Sequence, residues 1–199
     1  MENVVIDFHV HPKLYGFQIS QLLEEMDEAK VSYAVLLTMD LDIHDIERPE
    51  VKERIISNLQ RSSYQFFSTW NYETTVSMYR NLIRGVGKMP SNKEIAELVR
   101  EYPRRFIGFG SIDVCKGEGY MEDKLTEIDN LNLTGIKVLP TVQFFNPSQS
   151  KPFEKLCEYC EKNRRIIMYH TGCDPSLFEN PNVSADANPK YLEPVLERY

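Results

Sequence analysis

Five short apolar runs alternate with amphipathic stretches along this chain, and that cadence restricts its fold more than any other feature. The runs fall at residues 3–9, 33–37, 105–112, 134–140 and 165–170. Their β-branched, aliphatic and aromatic residues favour extended backbone. Between them the apolar positions take helical spacing. Ile19, Leu22, Leu23 and Met26 share one face of a helix expected over residues 18–30, with Ser20 as its cap. Further helices are expected at 92–101, starting at Asn92, at 120–130, at 152–163, and from Pro189 into the terminus at Tyr199. Strand and helix in strict alternation build βαβ units, a parallel sheet and crossovers of one hand. No repeat or low-complexity linker interrupts the pattern, so residues 1–199 read as a single domain.

Residues 40–90 are the least regular part, polar and rich in aromatics, and read as an insertion that is helical in pieces. Long insertions between strands commonly carry lids or substrate loops. Tyr64, Phe66, Phe67, Trp70 and Tyr72 either wall a planar substrate there or pack the insertion onto the rest of the domain.

Charge and hydropathy exclude whole classes of partner. The net charge is −7 with no basic block, which argues against nucleic acid. No apolar run reaches the length of a membrane span. The amino terminus runs directly into a strand without a signal-peptide pattern, so a cytoplasmic location is expected. Cys115, Cys157, Cys160 and Cys173 then read as free thiols. Cys157 and Cys160 form a C-x-x-C, but no second such pair completes a zinc site. Their place in the apolar rhythm of PFEKLCEYCEKN makes them two small core-facing residues one turn apart.

The histidines carry the chemistry. The first strand ends in Asp7-Phe8-His9-Val10-His11-Pro12. Side chains two apart on a strand point the same way, so His9 and His11 project together, and neutral imidazole is the commonest protein metal ligand. The apolar run before them suggests a strand buried on both faces, as in a parallel sheet. His170 ends the fifth strand. In an alternating parallel fold all strand carboxyl ends gather on one side, so three of the four histidines fall there. Three protein ligands and an open position are the usual layout of a catalytic zinc site. Asp7, two residues before His9, is placed on the same face, either to orient a ligand or as a buried structural aspartate. His44, between Asp42 and Asp45, reads as a solvated loop residue.

These motifs resemble the amidohydrolase superfamily, in its amidohydrolase-related branch of metal-dependent hydrolases and nonoxidative decarboxylases. The resemblance rests on IDFHVH at 6–11, EYPRRFIGFGSID at 101–113, GIKVLP at 135–140, YHTG at 169–172 and NPKYLEPVLERY at 188–199. It covers the chain outside residues 40–90. It implies a TIM-type (β/α) barrel with a divalent metal, zinc above others, held by His9, His11 and His170. Lys137 corresponds to a position where some relatives carry a carboxylated lysine. In this branch it reads instead as a lysine reaching into the cleft or paired with a carboxylate. Thr171, beside His170, is a further candidate for contact with ligand or substrate. The implied activity is hydrolysis of a small organic acid, amide or lactone through metal-activated water, or nonoxidative decarboxylation on the same scaffold.

The family pattern continues with a sixth strand ending in histidine and an eighth supplying an aspartate, both beyond Tyr199. The resemblance therefore implies about five of the eight strands of such a barrel. The sequence is expected to be a fragment of a longer chain. The alternatives are a non-catalytic truncated barrel, or a homo-oligomer that completes the barrel between copies. An open half-barrel is expected to expose strand edges and apolar surface.

Overall fold

The computed structural model describes residues 4–12, 16, 18–61, 71–86, 89–172 and 184–199. Strands β1 (Ile6–Val10), β2 (Tyr33–Leu36), β3 (Phe106–Ser111), β4 (Gly135–Val138) and β5 (Ile166–Tyr169) lie in that order in one curled sheet. Every neighbouring pair is parallel. Helix α1 (Ile19–Glu28) joins β1 to β2. Helices α2 (Pro49–Arg61), α3 (Tyr72–Val86) and α4 (Asn92–Glu101) lie between β2 and β3. Helix α5 (Glu118–Asn130) joins β3 to β4, while α6 (Pro140–Gln143) and α7 (Lys151–Asn163) join β4 to β5. The five expected strands are thus present in the expected order, as an incomplete (β/α) barrel.

The two faces of the sheet bury different residues. Ala34, Leu36, Phe106, Ile136 and Val138 point outward and join Met26, Ile95, Leu125, Ile128 and Leu156 of the helices in the main core. Val35, Leu37 and Phe109 point inward, with Ile107 and Met168 packed against them. Period-two alternation sorts the same strands into both sets. The close lateral fit demands glycine at Gly135. A Cβ there would stand 2.5 Å from the Phe109 ring and 2.6 Å from the carbonyl oxygen of Ile166.

The insertion is helical in pieces, as the sequence suggests. Ile46, Val51 and Ile55 meet Val76, Tyr79 and Leu82, and this cluster closes over Leu139, Val142 and Phe144 at the end of β4. Tyr72 takes part in that packing and Lys52 Nζ lies over its ring. The other expected insertion aromatics, Tyr64, Phe66, Phe67 and Trp70, lie outside the described residues. Cys157 and Cys160 are buried in the main core from α7, as their spacing implies, and Cys173 lies outside the described residues.

Four expectations need correction. First, β1 is not buried on both faces: Ile6 is 43% and Phe8 47% exposed. It is an edge strand, paired only with β2 among the described residues. Second, the alternation of β1 is broken by a register shift between Asp7 and Val10, a one-residue bulge that re-aims side chains. Asp7 pairs with Ala34 of the outward-facing core, whereas Phe8 sets its ring edge-on to inward-facing Phe109 at 6.1 Å. Asp7 therefore does not share the face that simple alternation gives it. Third, α1 is capped by Gln18 in a reciprocal box with Gln21, not by Ser20. The helix expected from Asn92 does start there, capped by Ser91 in a box with Glu94. Fourth, the terminal segment is a 3-10 turn, Pro189–Leu192, followed by a short helix α8, Glu193–Leu196, rather than one continuous helix.

Gly135→Ala should destabilise the fold by about 1–3 kcal/mol, because the new methyl meets backbone as well as an aromatic ring. Chemical denaturation reads this directly, and an unchanged midpoint would refute the close approach of β4 to β5.

Candidate functional site

The carboxyl ends of β2, β3 and β4 are fastened by side chains that reach across to backbone. The Ser111 hydroxyl donates to the Lys137 carbonyl at 2.9 Å and accepts from the Asp40 N–H at 3.0 Å. The Gln143 amide donates to the carbonyls of Ile112 and Asp40 and its oxygen accepts from the Leu139 N–H. Asn92 accepts from the Ser111 N–H at 2.9 Å. These bonds satisfy backbone groups that the sheet ladder leaves over at the strand ends.

Behind this clasp sits an ionic network that the sequence reading did not single out. Fully buried Asp113 takes the Arg48 guanidinium at 2.9 Å and the Cys115 N–H at 2.9 Å. Lys116 Nζ bridges Asp40 at 2.9 Å and Asp45 at 3.2 Å. Asp40 also accepts from the Asp113 N–H and the Tyr120 hydroxyl, both at 2.7 Å. A cavity of about 260 Å³ opens beside the network, lined in part by Thr38, Asp40, Met89, Asn92, Ser111 and Lys124. None of the three candidate histidine ligands lines it. The only sequence signal was an aspartate shortly after each of two strands, in LTMDLD and GSID.

The histidines occupy the inward side. His9 and His11 are brought together, with their Nε2 atoms 3.2 Å apart and their rings tilted 62° to one another. Two nitrogens bound at about 2.1 Å to one tetrahedral ion stand about 3.4 Å apart, so the separation fits a shared ion. Asp7 acts on this pair through the main chain: its carboxylate accepts from the backbone N–H of His9 at 3.0 Å. His170 follows β5, its N–H donating to the Val138 carbonyl at 3.0 Å. Beside it Thr171 is exposed. Burial holds the His11 and His170 rings well below the ordinary histidine range, at about 4 in each case. Neighbouring His9 and Lys137 push both the same way. Burial and Lys137 also lower His9, while Asp7 pulls it back up. All three rings are therefore neutral near pH 7, the form that donates a lone pair. His9 and His11 form a contacting pair, but among the described residues no three His, Cys, Asp or Glu side chains are set to share one ion. β1 and β5 are the two ends of the sheet order, so only the curl brings His170 toward the pair.

Lys137 is the remaining polar residue of this face. Its pairing in the sheet with Ser111 and Met168 directs it inward, and it is only 1% exposed. Burial pushes its ammonium down to about 8. The carboxylate partner considered from the sequence is not found among the described residues. His44 is solvent-exposed, its ring meeting Glu47 and its N–H donating to Asp42, as expected of a loop residue.

The network makes a testable statement about pH. Burial pushes Asp113 up to about 6 from its ordinary 3.8, against the pull of the Cys115 N–H, Arg48 and Lys116. A folded value above the unfolded one means the native state binds this proton more tightly. The contribution is then full below about pH 4 and is lost as the pH rises through about 6. The wild type should accordingly lose stability relative to Asp113→Asn between about pH 4 and about pH 7. Paired denaturation curves across that range check it, and a difference that is flat or of opposite sign refutes it.

No protein-family model and no curated protein matches the chain. Solved structures do match. An uncharacterised TIM-barrel protein from Bordetella bronchiseptica superposes with a TM-score of 0.59 at 16% identity, over 98% of this chain and 63% of that one. A Staphylococcus aureus protein assigned as an amidohydrolase gives 0.52 at 15% identity, over 87% of this chain and 49% of that one. An Acinetobacter baumannii protein assigned as a 2-pyrone-4,6-dicarboxylic acid hydrolase, solved with citric acid bound, gives 0.50 at 13% identity, over 98% and 55%. The chain thus spans between about half and just under two thirds of the length of these structures, and over that length it has the fold of a TIM barrel.

Proposed function

We propose that this chain carries the metal-binding strands of a metal-dependent hydrolase of the amidohydrolase type, acting on a small organic acid, amide or lactone. The observation that supports it most is the His9–His11 pair, 3.2 Å apart between Nε2 atoms at the carboxyl end of β1. Active sites of (β/α) barrels lie at that end of the strands.

The residues have distinct parts in this reading. His9 and His11 would hold a divalent cation, zinc by the chemistry of its nitrogen donors, with His170, after β5, as the candidate third ligand. A cation so held supplies Lewis acidity toward a carbonyl oxygen and a water. Asp7 fixes the ligand strand by taking the His9 N–H. Burial keeps His11 and His170 unprotonated, so no proton competes for their lone pairs near pH 7. The insertion, packed over the end of β4, shields one side of the cleft from solvent, where apolar walls strengthen each polar contact.

Equilibrium dialysis of the purified protein against zinc, with metal analysis, tests this reading. The wild type should retain about one ion per chain, as a single three-histidine site would. His9→Ala and His11→Ala should lose it, and His170→Ala should weaken it. Hydrolysis of a panel of lactones and amides should disappear on chelation and return with zinc. Zinc retention unaffected by the two β1 substitutions would overturn the assignment.

A further inference from the structure

The inward face of the sheet contains a cation without a counter-charge. Lys137 is buried to 1% exposure, and no hydrogen bond or ion pair engages its Nζ among the described residues. The other buried or half-buried cations behave differently. Arg48 sits on Asp113, Lys116 on Asp40 and Asp45, and Arg54 lies 3.7 Å from Asp186. The charge of Lys137 lowers the affinity of His9, His11 and His170 for a proton. They cannot neutralise it. Its nearest partners across the sheet, Ser111 and Met168, carry no charge, and the Ser111 hydroxyl is spent on the Lys137 carbonyl.

A buried ammonium in this state costs free energy that a bound anion would recover. An anion reaching this face would meet one strong donor, the Lys137 ammonium. It also meets neutral imidazoles that do not repel it, and apolar walls from Phe109 and Met168 that keep the pairing poorly screened. A carboxylate fits better than a phosphate: one ammonium satisfies one singly charged oxygen pair, whereas phosphate recognition usually recruits several donors.

We propose that Lys137 is the substrate-anchoring residue of this face, pairing its ammonium with a carboxylate of a small organic acid so that the rest of the molecule lies toward His9 and His11. This names the substrate class of the reading above as a carboxylic acid. It rests on that reading for the reaction but not for the binding, which needs only Lys137 and the apolar walls.

Calorimetric titration of the metal-free protein with glutarate, benzoate and their neutral amides separates the two. The acids should bind and the amides should not. Lys137→Met, close in volume and without charge, should weaken acid binding by about tenfold or more, the loss expected for a charge-assisted pair. Lys137→Arg should retain part of it. Without ligand, Lys137→Met should melt no lower than the wild type, because it removes an unpaired buried charge. Lys137→Met should lose acid binding yet retain zinc at least as well as the wild type. Failure of the metal reading and failure of this proposal therefore give different results. Equal binding of acid and amide, or equal acid binding by wild type and Lys137→Met, would overturn the proposal. So would a carbamate carbon signal from labelled bicarbonate that Lys137→Met lacks, since a carboxylated Lys137 has no positive charge to offer.

Discussion

The contact between Arg48 and fully buried Asp113 is the constraint on which the arrangement of the strand-end loops depends. Arg48 stands at the start of the insertion and Asp113 just past β3, 65 positions later, yet they meet at 2.9 Å. Arg48 also donates to the Cys115 carbonyl, so the guanidinium reads both a charge and a backbone direction. Breaking one partner out of such a pair leaves a charge stranded in the interior, at a cost on the order of 3–5 kcal/mol. The pair therefore admits one placement of the insertion relative to β3. Lys116 repeats the device by joining Asp40 after β2 to Asp45. Charges thus set the geometry on the outer side of the strand ends, while the backbone clasp of Ser111 and Gln143 sets it between strands.

That division explains why the two faces of the sheet differ chemically. Outward-facing residues are held by helix packing and are almost wholly apolar. Inward-facing residues start apolar at Val35, Ile107 and Phe109 and turn polar toward the strand carboxyl ends, at Lys137, His9, His11 and His170. The apolar layer beneath, with Phe109 fully buried and stacked over Gly135, keeps water from the base of the polar layer. The neutrality of the histidines and the desolvation of Lys137 both follow from this layering.

Much of this was legible in the chain itself. Runs such as YAVLL and RIIMY declare strands by residue type, and the five of them lie where periodicity places them. What sequence could not reveal is non-local or depends on a single register. The bulge in β1 is set by its pairing with β2, and it moves Asp7 away from the face that alternation assigns. The cap of α1 came from Gln18, a weaker capper than Ser20 by side-chain preference, because the reciprocal bond with Gln21 outweighs that preference. The Asp40, Asp45 and Asp113 network was hidden because each acid resembles an ordinary loop aspartate until the fold joins them. Burial of β1 was overestimated for a related reason. An apolar strand announces that it can be covered, but the covering elements are properties of the whole sheet, and among the described residues β1 pairs only with β2.

The chain's net charge of −7 gives a misleading impression of the field at its candidate site. Acidic side chains dominate the composition, yet the acids of the strand-end loops are consumed by Arg48 and Lys116 within the same layer. Among the described residues, the inward face keeps an ammonium without an ion-pair partner and three neutral rings. Over a few ångströms in a poorly screened cleft, one such charge outweighs a distant surface excess that salt attenuates within about 10 Å. The same positive charge that disfavours protonation of the histidines also disfavours a bare cation between them. On the reading proposed above, a metal and an anionic ligand would be coupled at this site. A carboxylate paired with Lys137 removes the repulsion that Lys137 exerts on a metal held by His9 and His11, and each should strengthen the binding of the other by the same factor.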